Sequence, residues 1–389
     1  MEKEPILIEK IVPGGEALGQ FKNGKKIFFW NALPGEEVIE YNVVKNKSRY
    51  IKAIATKFKN QSNYRLEPKD NCFLSTSPWQ IFDYNYELEM KQNLVVECFR
   101  EQDISIEKPV IFTDYKDYYY RNKMEYALYW NNEKNIIELA FYERGSHRKI
   151  PIQNSSIEKP EILGKAKNII KELNNRHEEA RKFQSLILRC NQKGEVSGGL
   201  YENNKPHPIF NNLKDQILEK IYHYSPNGFF QINLPVYEMV LKEIKNHITT
   251  SNVLDLYAGV GTIGLSVASD KNLTLVECDK SAYNELIKNC DNIVSEHLNA
   301  VLAKTEDALT FIQPNQTVIL DPPRAGIDKK VIERLLETKP KNIVYLSCSP
   351  ITQARDIKEL LKDYQIKLVK TYNFFPHTPH IENLVVLSL

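Results

Sequence analysis

The sequence has no long hydrophobic run, and this absence excludes a membrane-spanning helix. None of its apolar stretches approaches the ~18 residues that a helix needs to cross a bilayer. Residues 1–5 have neither the basic start nor the apolar core of a secretory signal. We therefore expect a cytoplasmic protein without a membrane partner.

Cysteine is scarce, and no two cysteines form a C-x-x-C pair. The six cysteines are scattered along the chain, at Cys72, Cys98, Cys190, Cys278, Cys290 and Cys348. This spacing excludes both a disulfide framework and a tetrahedral metal site. We expect no bound metal, and each thiol has to be judged by its own surroundings.

Acidic residues are missing from positions 41 to 66, which hold seven lysines and arginines. The formal net charge of the whole chain is only +2, so this is a local basic face on an otherwise balanced protein. A face of this kind fits contact with nucleic acid, and it equally fits the solvated side of a barrel. Both interpretations stay open on composition alone.

Length and turn signals divide the chain into three predicted domains. A chain of 389 residues is long enough for two or three hydrophobic cores. Short apolar runs separated by turns such as Pro13-Gly14-Gly15 predict an OB-like β-barrel in residues 1–60. Residues 61–225 begin with an amphipathic helix over 83–103 and continue with strands and a helical stretch, which predicts an α+β middle domain.

Continuous apolar strands alternate with helical patterns from residue 252 onward. They cover 253–257, 273–276, 318–320, 343–346, 366–369 and 384–387. Such strands are typical of a parallel sheet that is buried on both faces. Residues 226–389 are therefore predicted to form a doubly wound, Rossmann-like α/β domain, and the fold class is multidomain.

A glycine-rich turn follows the first of these strands. Gly259, Gly261 and Gly264 lie where the strand meets a helix, and such a turn lets a nucleotide-like cofactor approach the backbone. The spacing is also that of a dinucleotide fingerprint, and Glu277 at the end of the next strand would bind a ribose in either case. The class of cofactor stays open at this point.

Three ionisable residues at strand ends are candidates for the chemistry. Asp321 follows the strand 318–320, at the edge where open α/β sheets bind ligands. Cys348 lies between a strand and a helix, which predicts a lowered pKa and a nucleophilic thiol. Glu382 lies among apolar and neutral residues before the last strand, which predicts a raised pKa and a proton-accepting role.

In this order, the motifs resemble the S-adenosylmethionine-dependent RNA uracil-5-methyltransferases over nearly the whole chain. The barrel segment, with GGEALG at residues 14–19, is similar to the RNA-binding TRAM domain of that family. The other matching segments are 229–233 (FFQIN), 255–265 (DLYAGVGTIGL), 321–327 (DPPRAGI), 347–350 (SCSP) and 377–382 (HTPHIE).

The resemblance implies roles for individual residues. It implies that Cys348 adds to C6 of the uracil and that Glu382 removes the proton from C5, once the base has been unstacked and turned into the pocket. Eight residues are expected around S-adenosylmethionine: Gln231, Tyr257, Gly259, Gly261, Thr262, Glu277, Asp307 and Asp321. Five are expected to face the RNA: Arg121, Lys123, His147, Arg148 and Arg324.

Many members of this family hold an iron–sulfur cluster on four cysteines of the middle region, and this chain departs from them. Residues 71–80 keep only Cys72, and residues 150–155 supply no later cysteine. One thiolate cannot hold a cluster that takes four. We therefore expect no iron–sulfur cluster.

The substrate that the resemblance implies is structured RNA. It favours 23S ribosomal RNA, because bacterial relatives that act on transfer RNA typically lack the barrel; transfer RNA is the alternative. No obligatory protein partner is evident. Two other classes stay open: a nicotinamide-dependent oxidoreductase, which the glycine spacing allows, and a non-catalytic RNA-binding protein, which needs only the basic barrel. Neither class has a use for Cys348 and Glu382.

Overall fold

The computed structural model describes residues 5–203, 205–207, 210–293 and 297–389. Its first five strands close into a barrel, in the order β1-β2-β3-β5-β4. They are β1 (Ile6–Ile11), β2 (Ala17–Gln20), β3 (Lys26–Trp30), β4 (Glu37–Asn46) and β5 (Tyr50–Asn60). Alternate side chains of the strands, such as Ile6 and Ile8, fill the interior, as the period of two in a strand requires. The predicted barrel is confirmed as a closed five-stranded sheet.

A connecting segment leads from the barrel to the rest of the molecule. It holds a single turn of helix, α1 (Phe73–Thr76), then the long helix α2 (Tyr84–Arg100), and the short strand β6 (Val110–Phe112). The side chain of Asp83 caps α2 by accepting hydrogen bonds from the N–H groups of Asn85 and Tyr86. The apolar face of α2 lies in one core with the barrel and with one face of the C-terminal sheet.

The middle of the chain forms a six-stranded antiparallel sheet covered by one helix. Its strands are β7 (Lys123–Asn131), β8 (Ile136–Tyr142), β9 (Lys149–Pro151), β10 (Ser185–Cys190), β11 (Val196–Glu202) and β12 (Lys205–His207), with the helix α3 (Pro160–Asn175) before β10. Their order is β12-β11-β10-β7-β8-β9. Ile162 and Ala166 of α3 pack onto the sheet in a core of their own, which gives this region α+β architecture.

Two segments of the predicted middle region pack with the C-terminal domain. The hairpin of β13 (Leu213–Ile217) and β14 (Lys220–Tyr224) shares a core with the helix α4 (Leu234–Asn246) and the C-terminal sheet. The strand β6 lies at the edge of that same sheet. The sequence pattern did not indicate this, because a short apolar run carries no sign of the sheet that it joins.

The C-terminal domain contains an eight-stranded sheet, in the order β17-β16-β15-β18-β19-β21-β20-β6. Its elements are β15 (Asn252–Leu256), α5 (Thr262–Ala268), β16 (Asn272–Glu277), α6 (Lys280–Asp291), β17 (Leu298–Leu302), β18 (Gln316–Leu320), α7 (Lys329–Thr338), β19 (Asn342–Ser347), α8 (Pro350–Leu360), β20 (Gln365–Tyr372) and β21 (Glu382–Ser388). The strands β15 to β19 are parallel, as predicted, and all of them except the edge strand β17 are mostly buried.

The expectation of a wholly parallel sheet is wrong at one side. The strand β21 runs antiparallel to both β19 and β20. The connection between β20 and β21, residues 373–381, is too short for the crossover that parallel neighbours need, so the chain turns back directly. This reversal brings the first residue of β21 to the carboxyl end of β19. Within the described residues, no helix is long and apolar enough to cross a membrane.

Candidate active site and cofactor pocket

Cys348 and Glu382 lie side by side where β21 pairs antiparallel with the end of β19. Ser347, the last residue of β19, is paired with Asn383 of β21. Cys348 directly follows Ser347 in the chain, and Glu382 directly precedes Asn383. The two side chains are close enough for the carboxyl of Glu382 to raise the pKa of the thiol. The structure therefore brings together a thiol and a carboxyl that the sequence places on different elements.

The expected lowering of the Cys348 pKa is wrong. Burial raises the pKa of Cys348 to about 11, and the nearby carboxyls of Glu382 and Asp321 add to the rise. Arg324 opposes them with its charge and with a hydrogen bond to the sulfur. Pro350, the first residue of the helix that follows, has no N–H to direct at a thiolate.

Glu382 has the raised pKa that its surroundings predicted. Burial moves the pKa of this carboxyl well above its usual range, Asp321 raises it further, and Arg324 acts in the opposite direction. Its side chain is 5% exposed. A carboxylate with a raised pKa is a stronger base than a solvated one, which suits the removal of a proton from carbon.

A pocket of about 220 Å³ opens at Cys348, and part of its wall comes from distant elements. Arg324 and His380 line it from the C-terminal domain, where Nη2 of Arg324 lies 3.2 Å from Nδ1 of His380. Burial and the charge of Arg324 lower the pKa of His380 to about 4, so the ring is a neutral acceptor. Gly14 of the barrel and Leu94 of α2 complete the wall. No sequence motif indicates these contributions, since the residues lie far apart in the chain.

The glycine-rich turn after β15 has the open backbone that a bound cofactor needs. Gly259 and Gly261 have φ angles of +57° and +87°, in the left-handed region that favours glycine. The N–H of Gly259 donates to Oε2 of Glu277 at 2.7 Å, and the N–H of Gly264 donates to Oδ2 of Asp255 at 2.8 Å. A methyl group added at Gly259 would meet no atom within 4 Å, so the space beside it is free.

Several buried oxygen atoms collect beneath this turn. Oδ1 of Asp255 is buried and has no hydrogen-bond partner. Burial raises the pKa of Asp255 to about 8 and that of Asp321 to about 7, and the charge of Asp321 contributes to the first shift. Tyr237 of α4 lies beside both carboxyls, with its hydroxyl bonded to Thr262, and burial raises its pKa well above the usual range. Tyr237 is a residue of this pocket that the sequence motifs did not indicate.

The other predicted cofactor residues differ in their burial. Gln231 is buried in the segment before α4, and its carbonyl accepts a hydrogen bond from Asn122 at 3.1 Å. Tyr257 also has a positive φ, and its hydroxyl is bonded to Thr305. Asp307 is exposed on a short 3₁₀ helix, Thr305–Asp307, close to that contact.

The five residues predicted to face RNA are not equally accessible. Lys123 is half-buried and donates to the carbonyls of Asn227 and Gly228, and burial lowers its pKa to about 8. Arg121 donates to the carbonyl of Lys123. His147, Arg148 and Arg324 are exposed, although Arg148 is paired with Glu143. Lys123 therefore holds the segment before Gln231 in place, whereas the other three reach solvent.

The basic face of the barrel is smaller than the sequence indicated. Four of its seven cations form ion pairs with carboxylates of the barrel: Lys52 with Glu16, Lys57 with Glu40, Lys59 with Glu37 and Arg65 with Glu36. The other three, Lys45, Lys47 and Arg49, are exposed on and beside the turn between β4 and β5. Gly145 of the middle domain packs against Val44 beside that turn. This contact brings the loop of His147 and Arg148 next to the barrel.

The region of Cys72 does not fit an iron–sulfur cluster. Cys72 is buried, and Asp70 beside it bonds to the N–H and hydroxyl of Ser156 and to the amide of Gln80. In the part of the chain that the structure describes, no group of three or more histidine, cysteine or acidic residues is arranged to hold a metal ion. A hydrogen-bonded carboxylate joins the two segments that hold cluster cysteines in many members of the family.

The fold and the site define a methyltransferase that uses a nucleoside cofactor. The model of the tRNA (uracil-5-)-methyltransferase family matches residues 207–389. An uncharacterized RNA methyltransferase of Nanoarchaeum equitans is 30% identical over 433 residues, covering 99% of this chain and 94% of that protein. One of Bacillus anthracis is 27% identical over 447 residues, covering 99% and 96%.

The overall fold is also that of a solved enzyme. The crystal structure of the Pyrococcus abyssi tRNA (uracil-54, C5)-methyltransferase in complex with S-adenosyl-L-homocysteine has a TM-score of 0.77 to this chain, at 24% identity, covering 98% of this chain and 100% of that one. The chain belongs to the family of S-adenosylmethionine-dependent RNA (uracil-5-)-methyltransferases.

Proposed function

We propose that this protein methylates C5 of a uridine in structured RNA, with S-adenosylmethionine as the methyl donor, Cys348 as the nucleophile and Glu382 as the base. The observation that carries the proposal is the adjacency of Cys348 and Glu382 at the paired ends of β19 and β21. The reaction needs a thiol that reaches C6 and a carboxylate that reaches C5. These two atoms are neighbours in the uracil ring, so the two side chains must lie close together.

The buried carboxyls of the pocket support a cationic donor. Asp255 and Glu382 are buried, Asp321 lies partly exposed near them, and each of the three has a raised pKa. A buried charge without a partner is costly, so a positive group beside these carboxyls is stabilised. The unpartnered Oδ1 of Asp255 and the free space at Gly259 fit the polar and ribose parts of a nucleoside. S-adenosylmethionine supplies the electrophilic methyl group when it is bound.

Cys348 and Glu382 then perform the two halves of the reaction. The thiolate of Cys348 forms a bond from Sγ to C6, and the electron pair of the C5–C6 double bond moves to C5 and O4. This makes C5 nucleophilic enough to accept a methyl group. Glu382 removes the proton from C5, the double bond forms again, and the thiolate of Cys348 is expelled. Arg324, which bonds to the sulfur, stabilises the thiolate in both halves.

Exposed cations at the mouth of the pocket and beside the barrel support an RNA substrate. Arg324 lies at the mouth, and the loop of His147 and Arg148 meets the barrel near Lys45 and Lys47. Phosphate groups bind to such surfaces, while recognition of a base takes place in the pocket. This arrangement fits the proposed TRAM-like role of the barrel.

Two classes of RNA are candidate substrates, and the experiment has to distinguish between them. Large-subunit ribosomal RNA is the candidate that the barrel favoured in the sequence. The barrel alone does not separate the two, because a transfer RNA enzyme shares this fold over 98% of the chain. Transfer RNA is therefore the second candidate, and the full-length likeness in fold is the observation in its favour.

The first experiment measures the transfer of labelled methyl groups from S-adenosylmethionine to total RNA that lacks 5-methyluridine. Nucleosides from separated ribosomal and transfer RNA are then analysed. We expect label as 5-methyluridine with the wild type and none with Cys348→Ala. The control is Cys290→Ala, which removes a thiol of α6 outside the site. Label on another nucleoside, or equal label with Cys348→Ala, would overturn the proposal; binding of RNA without label favours the non-catalytic class.

A further inference from the structure

Two charged residues of α2, Glu87 and Lys91, are completely buried. Their side chains have no exposed surface, and Nζ of Lys91 lies 2.7 Å from Oε1 of Glu87. Removing two charges from water costs several kcal/mol per ion, so a buried pair is weak evidence for a stabilising role. The contacts of this pair indicate what it does.

Both residues bond to one loop of the C-terminal domain. We call residues 373–381, which join β20 to β21 and end next to Glu382, the base loop. Both carboxylate oxygens of Glu87 accept the backbone N–H of His377, at 3.0 and 2.9 Å. Nζ of Lys91 donates to Oδ1 of Asn373 at 2.6 Å and to the carbonyl of Phe375 at 3.0 Å. The pair therefore fixes the base loop at three points.

Other contacts fix the middle of the same loop. The hydroxyl of Tyr120 donates to the carbonyl of Pro376 at 3.0 Å, and the N–H of Trp79 donates to the carbonyl of His377 at 3.0 Å. His377 itself has a φ of +59°, which a residue with a side chain rarely adopts without support. Its Nε2 lies 3.2 Å from Oδ2 of Asp117. The conformation of the base loop is thus imposed by α2 and by the connecting segment.

We infer that Glu87 and Lys91 are positioning residues, which hold the base loop so that Glu382 stands at the target C5. This inference rests on the proposed function, because it gives Glu382 the role of base. The loop residues His380 and Ile381 line the pocket at Cys348, so a displacement of the loop moves the carboxyl relative to the thiol. Cys348 is held by β19 and α8, whereas the hydrogen bonds of Glu87 and Lys91 go to the base loop.

The position of the base loop matters for only one half of the reaction. Formation of the bond from Sγ to C6 and methylation of C5 do not need Glu382. Removal of the C5 proton and release of Cys348 need it. An enzyme with a displaced base loop should therefore add to the RNA, methylate it and then stall, joined to its product through Cys348.

The test compares the wild type with the double variant Glu87→Gln/Lys91→Met. This variant removes both buried charges together, leaves an amide oxygen for the N–H of His377 and keeps the volume of the core, so no unpaired charge is left behind. We expect kcat to fall about 10- to 100-fold, with KM for RNA and for S-adenosylmethionine changed less than about threefold. The fraction of enzyme joined to RNA on a denaturing gel should rise several-fold.

Two further variants make the result decisive. Tyr120→Phe removes only the hydroxyl that bonds to Pro376, and we expect a smaller fall in kcat with the same rise in the joined fraction. The control Glu36→Gln/Arg65→Met removes a buried ion pair of the barrel that does not contact the base loop, and the joined fraction should stay at the wild-type level. An unchanged kcat would overturn the inference. A loss of activity without more joined enzyme, in both Glu87→Gln/Lys91→Met and Tyr120→Phe, would also overturn it. A wild type that methylates no RNA would instead overturn the proposed function.

Discussion

Arg324 faces the thiol of Cys348 as a hydrogen-bond donor, while the carboxyls of Glu382 and Asp321 face the same thiol with the opposite effect. Burial and these two carboxyls prevail, and the pKa of Cys348 is raised to about 11. The resting enzyme therefore holds a protonated thiol at neutral pH. Its nucleophile is formed only when the charge balance of the pocket changes.

The pH dependence of Cys348 alkylation should report this balance. Iodoacetamide reacts with the thiolate, so its rate at Cys348 should keep rising with pH toward about 11. Arg324→Gln removes the opposing cation and should lower the rate at every pH below that value. Mass spectrometry of the Cys348 peptide measures the rate, and the exposed Cys278 serves as internal reference. A rate that levels off below pH 8 would contradict this account.

Binding of the cofactor should depend on pH because of its charge. Asp321 and Asp255 have pKa values raised to about 7 and about 8, so they are largely protonated below pH 7. The sulfonium cation of S-adenosylmethionine favours the charged forms of these carboxyls. Binding of S-adenosylmethionine should therefore release protons between pH 7 and 8, and its affinity should weaken as the pH falls from 8 to 6. S-adenosylhomocysteine differs by lacking this charge, and its affinity should fall less.

Calorimetry of both ligands, in buffers of different ionisation enthalpy, measures proton release and affinity together. The comparison is internally controlled, since the two ligands share their amino acid and adenosine parts. Parallel pH profiles for the two ligands would show that the carboxyls do not respond to the sulfonium charge.

The sequence predicts elements and strand ends well, because these depend on local pattern. The apolar runs before Asp321 and Cys348 have a period and length that leave little choice, and both strands form where expected. The direction of β21 was not predicted, although it places Glu382 beside Cys348. The direction of a strand depends on the length of its connection, and the motif in residues 377–382 does not indicate which way the strand after it runs.

Charges were harder to predict than positions. The pKa of Cys348 depends on Glu382 and Asp321, which come from two other elements of the sheet. The burial of Glu87 and Lys91 depends on the packing of α2 against a loop that lies nearly 300 residues further along the chain. Neither interaction leaves a local signal, so the sequence indicates the candidate residues of the reaction and not the residues that we propose to position them.

Two glycines of the cofactor turn should respond differently to alanine. A methyl group at Gly261 would lie 2.5 Å from Leu286 and 2.8 Å from Leu265, at a φ of +87°. Gly261→Ala should therefore lower the free energy of unfolding by about 2 kcal/mol or more. Gly259→Ala meets open space and should cost only about 1 kcal/mol for its backbone conformation.

Relative to the stability that each variant loses, Gly259→Ala should lose more affinity for the cofactor than Gly261→Ala. The methyl group of Gly259→Ala occupies the space proposed for the cofactor, so binding of S-adenosylhomocysteine should fall at least about tenfold. Urea unfolding without ligand and calorimetry with ligand measure the two effects. Wild-type affinity in Gly259→Ala would place the cofactor elsewhere.

Asp70 should carry the stability that a cluster would otherwise supply to the connecting segment. It accepts the N–H of Ser156 at 2.9 Å, its hydroxyl at 2.9 Å and the side chain of Gln80 at 2.9 Å. Asp70→Ala leaves these buried donors without a partner, and we expect the free energy of unfolding to fall by about 2–4 kcal/mol. Glu89→Ala on α2, which removes an exposed partner of Lys108, is the control and should cost less than about 1 kcal/mol. Urea unfolding measures both. If Asp70→Ala were as stable as the control, or if reconstitution with iron and sulfide restored it, the carboxylate would not be the link between these segments.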